Sequence, residues 1–140
     1  MGILSDFFLA DRTATPAYDG GPDFPAEDRC QFKSITSLEA AGILSVLHGS
    51  GDRIEMLHAF PLLSPEEADD WTMSVPEDMT TALAALEDSQ IPLIAQQCAD
   101  TTAEELGWSS DDFHDVLKRL RALARRAADT NKSIYLWNSL

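Results

Sequence analysis

Apolar positions recur along this chain with two periods, and those periods predict its elements. The clearest run is Phe113, Val116, Leu117, Leu120, Leu123, Ala124 and Ala127. Counted from Phe113 the offsets are 3, 4, 7, 10, 11 and 14, the spacing of one helix face wide enough to meet a core. Ser109 or Ser110 stands where a cap is needed. A second helix is predicted over 37–48, with Leu38, Ala41, Leu44 and Leu47 or His48 on one face. Thr36 and Glu39 have capping-box spacing there, and Gly49 and Gly51 supply the stop. A third spans 76–88, its face made by Met79, Ala82, Leu83 and Leu86, with Glu77 and Asp78 at its positive end. A fourth spans 89–100 with Ile91, Ile94, Ala95 and Cys98. It must begin near residue 90, because Pro92 has no N–H to give and fits only the first turn. "SPEE" at 64–67 and "TAEELG" at 102–107 read as short capped turns of helix.

Alternation with a period of two marks "WTMSV" at 71–75 as a strand facing a core with Trp71, Met73 and Val75. "SIYLWNSL" at 133–140 puts Ile134 and Leu136 on one face and Tyr135 and Trp137 on the other, so both faces of that strand are expected to be covered. "GILSDFFL" at 2–9 reads as a short strand although its apolar residues cluster. Residues 11–31, with Pro16, Gly20, Gly21, Pro22 and Pro25 among acids, read as an irregular loop. Residues 52–63 fit a helix or an extended chain equally. The sum is an α+β, helix-rich single domain over 1–140, four or five helices packed with a small sheet of two or three strands.

Composition adds charge. The chain has 140 residues, 44% hydrophobic and 24% charged, with a formal net charge of -14. Residues 1–115 hold 4 Lys and Arg against 23 Asp and Glu, a net of -19, whereas 116–140 hold 6 against 1, a net of +5. Such acidity repels phosphate backbones, so nucleic acid is not an expected partner. No apolar run approaches the roughly 18 residues of a membrane helix. "MGILSDFFLADR" has no basic n-region and Asp6 interrupts it, so no signal peptide is expected, and the myristoylation pattern fails. Cys30 and Cys98 are expected to be free thiols of a cytoplasmic protein.

The long helix concentrates the charge. Asp111, Asp112 and Asp115 fall near its start, where the dipole favours anions. Lys118, Arg119, Arg121, Arg125 and Arg126 fall later, where carbonyls favour cations. Asp115 and Arg119 form an acid-before-base pair four apart. Asp111, His114 and Asp115 share a face, but no second element offers further metal ligands, and the basic stripe lacks interleaved aromatics, so neither a metal nor a nucleic-acid site is expected. No cofactor motif occurs. Cys98 lies on an apolar stripe and Cys30 among acids that would raise its pKa, so neither is expected to be a nucleophile. Trp71 and Trp137 belong to predicted strands. Trp108, just ahead of the helix cap, either staples that helix through the turn of Phe113 or meets a partner.

The C-terminal half, "WTMSVPEDMTTALAALED" leading to "RALARRAADTNKSIYLWNSL", resembles small bacterial proteins of uncharacterised function that end in a Lys-x-x-Tyr-Leu-Trp pattern, here Lys132, Tyr135, Leu136 and Trp137. The resemblance implies no activity and no catalytic residue.

The expected function is that of a non-enzymatic acidic interaction or regulatory protein that binds a basic protein partner. The candidate contacts are Asp19, Asp23, Glu27, Asp28, Glu66, Glu67, Asp69, Asp70 and Trp108. The alternative is a small enzyme or ligand-binding protein whose cleft holds His48 or His58. Self-association through residues 133–140 is a further expectation, if they form an open edge.

Overall fold

In the computed structural model, residues 4–10, 28–49, 60, 70–102 and 107–139 are described. Four strands make one antiparallel sheet: β1 (Leu4–Ala10), β2 (Arg29–Lys33), β3 (Asp70–Ser74) and β4 (Ser133–Ser139), in the order β2-β1-β4-β3. Phe7 stands opposite Leu136, which in turn stands opposite Met73. The period of two then sorts the side chains. Phe7, Leu9, Cys30, Phe32, Met73, Ile134 and Leu136 face one way, all buried, into the layer of helices.

Phe8, Tyr135 and Trp137 face the other way and are also buried. The rings of Phe8 and Tyr135 stack with centroids 5.7 Å apart. Thr72 and the fully enclosed Asp6 lie on that same side. The expectation that both faces of the last strand are covered is thus met.

Two expectations about the sheet change. Residues 133–139 are not an edge: β4 is hydrogen-bonded to β1 on one side and β3 on the other. Its ladder groups are occupied, so they offer nothing to a second copy. The sheet also has a strand more than expected. Arg29, Cys30 and Gln31, read as loop, begin β2. Five residues with two apolar positions give too short an alternation to stand out beside a Pro/Gly-rich run.

Among the described residues there are four helices, α1 (Ser37–His48), α2 (Glu77–Ala84), α3 (Ile91–Thr101) and α4 (Ser110–Thr130); α4 and, more lightly, α2 lie on the sheet, and α1 and α3 pack on the other helices. All seven residues of the predicted stripe on α4 are buried, and α4 touches β1, β2 and β4 as well as α2 and α3. Ser109 is its cap. The Ser109 hydroxyl accepts from the Asp112 N–H at 3.2 Å and the Asp112 carboxylate accepts from the Ser109 N–H at 3.0 Å, a reciprocal box. At the other end Asn131 takes a left-handed φ of 55°, a conformation that asparagine tolerates and most residues avoid. α1 keeps its predicted limits, with Thr36 donating to Glu39 at 2.9 Å and Gly49 at φ 71°. Pro92 lies in the first turn of α3, as its missing N–H requires.

A buried polar node closes one end of the sheet. The Asn138 side-chain amide donates to the Ile35 carbonyl at 2.9 Å and to the Ser5 hydroxyl at 3.3 Å, and that hydroxyl accepts from the Ile35 N–H at 2.8 Å. Ser34, at φ 65°, turns the chain from β2 toward α1 and so presents Ile35 to this node.

Candidate functional site

Among the described residues β2 is an outer strand, and α4 runs antiparallel to it. Arg126 meets Asp28, Arg119 meets Gln31, and the first turns of α4 come beside Lys33. Between the two elements lies an open groove of about 430 Å³. Phe32, Val116, Trp108 and Leu4 give it apolar walls, and Asp111, Asp112, Asp115, Lys33 and Arg119 give it a charged rim. Leu4 is one of the few large apolar side chains left open among the described residues, at 38%.

Local chemistry places each wall. Trp108 immediately precedes the Ser109 cap and Phe113 is the fourth helical residue. Their rings lie 5.5 Å apart, the hydrophobic staple that fixes how a chain enters a helix. Trp108 therefore has the expected structural role and also borders the groove. Arg119 shows what the groove can hold. Its guanidinium sits 4.4 Å from the Phe32 centroid, donates to the Gln31 carbonyl at 3.1 Å and lies 3.7 Å from the Asp115 carboxylate. A flat cation is thus gripped by an aromatic face, a strand-edge carbonyl and an acid.

The other arginines of α4 are also engaged within the fold. Arg121 donates to the Leu86 carbonyl at 3.3 Å and meets Asp88 at 2.8 Å. Arg125 donates to the Ala84 and Leu86 carbonyls, both at 3.0 Å. These bonds satisfy carbonyls at and beyond the end of α2, and they account for α2 stopping at Ala84, short of the expected residue 88. Arg121 also holds the exposed Asp88 carboxyl below its usual range, through its hydrogen bond first and its charge second. Arg126 is bonded to Asp28, with Lys132 4.0 Å away.

Asp28, expected at a partner surface, is therefore buried and ion-paired inside the fold. Asp70 is the first residue of β3. Asp19, Asp23, Glu27, Glu66, Glu67 and Asp69 lie outside the described residues, as do His58 and the short turns expected at 64–67 and 102–107. Of the described residues in the expected set, Trp108 alone borders the groove. The groove's other walls, Leu4, Phe32 and Val116, carry no local signal beyond hydrophobicity.

His48 is exposed and 3.2 Å from Asp78, and neither it nor His114 lines this groove or a second one of about 380 Å³ beside Val75, Thr80, Ala84, Ala128 and Lys132. Among the described residues no group of three or more His, Cys, Asp and Glu side chains is placed to hold a metal ion.

Both cysteines are free and buried. Burial pushes the Cys98 thiol up to about 12. Burial is also the main cause that raises Cys30 to about 11, opposed by Arg119 and reinforced by Asp115. Both lie well above neutrality, so neither thiol is poised as a thiolate there. The unfolded chain loses these protons near pH 9, while the folded chain retains them. Stability should therefore fall as pH rises above about 9, by on the order of 2 kcal/mol from Cys30 alone once pH reaches 11. Denaturant midpoints at pH 8 and 10.5 will show this, and Cys30→Ala/Cys98→Ala should have a shallower slope. An unchanged slope would mean that the thiols are solvated.

No family model matches the chain, and no curated protein and no solved structure matches it either. No described helix is long and apolar enough to cross a membrane.

Proposed function

We propose that this chain is a non-enzymatic interaction or regulatory protein of the cytoplasm, and that it binds a basic surface on a protein partner. The observation that carries this reading is where the positive charge goes. Arg119, Arg121, Arg125 and Arg126 each grip a carbonyl or carboxylate of the fold. Glu77, Glu87, Asp100, Asp111 and Asp129 are exposed. Among the described residues, the arginines of α4 are thus engaged within the fold, in a chain whose net charge is -14. A field of that sign draws in basic partners and discourages acidic ones.

The test is salt-resolved capture followed by reconstitution. Native lysate passed over the immobilised protein at about 50 mM salt should leave basic proteins that elute by about 300 mM, within the range where screening weakens exposed pairs. One of them, purified, should re-form a stoichiometric complex whose affinity falls with ionic strength. Retention that ignores salt, or a retained set no more basic than the lysate, would remove the basis of the reading.

A further inference from the structure

We draw no further inference here: the strongest candidate, the groove of about 380 Å³ between α2 and the last turns of α4, lined by Ala84, Ala85, Ala124 and Ala128 beside Lys132, is a seam of small residues with nothing among the described residues to show what would fill it.

Discussion

Replacing Phe113 by alanine should destabilise the protein by about 3–5 kcal/mol, the range for emptying a buried aromatic site. The side chain is fully buried, where α4 meets the core, and its ring is in contact range of Trp108. Truncation removes the apolar burial and leaves a void that a helix anchored to three strands cannot fully close. Against a total of about 5–15 kcal/mol for an ordinary domain, this is a large share. The effect should reach the groove. Without its staple Trp108 is loosened, and the first turn of α4, which carries Asp111, should fray before the rest. Denaturant unfolding measures the loss, and amide exchange at residues 109–113 reports the fraying. Phe113→Leu should cost less. His114→Ala, one position along on a half-buried side chain, should stay within about 1 kcal/mol. A loss under about 1 kcal/mol for Phe113→Ala would show that the ring is not packed as placed.

The pattern of apolar positions carried α4 completely, because seven residues repeat one period over four turns and the capping residues agree with it. It also placed α1 at 37–48 and both buried faces of the last strand. Long elements with local caps announce themselves in this way. β2 did not, since Cys30 and Phe32 are its only inward residues. The end of α2 depends on Arg121 and Arg125, which act from more than 30 positions away, and no local spacing records that.

Charge was readable in composition but not in destination. The basic residues of α4 suit its own negative end in principle, yet its last turn holds none of them. They reach instead to β2, to the carbonyls after α2 and to Asp28. Asp28 looks in sequence like the acids around it, and only the approach of Arg126 distinguishes it. The groove was half legible. Trp108 stood out, and Asp111 was visible as a helix-start acid. Their meeting with Leu4, Gln31 and Phe32 depends on β2 lying at the sheet edge, which follows from topology and not from any motif.

Acids in this chain thus divide into those enclosed by the fold and those left to the solvent, and a substitution at Arg126 should separate the two. Arg126→Met keeps the aliphatic stem and removes the charge, leaving the Asp28 carboxylate, 9% exposed, with Lys132 at 4.0 Å. An uncompensated buried charge costs about 3–5 kcal/mol. Arg126 is itself 41% exposed and Lys132 remains, so about 2–3 kcal/mol is expected, at and below the bottom of that scale. Asp28→Asn should cost less. The double variant Asp28→Asn/Arg126→Met should be more stable than the sum of the single losses implies, by at least about 1 kcal/mol, because both halves of one interaction are removed together. This coupling should change little between about 50 and 300 mM salt, whereas partner binding through exposed acids should weaken steeply over the same interval. If the two losses simply add, or fade with salt, Asp28 is a surface acid after all and returns to the set of residues that meet a basic partner.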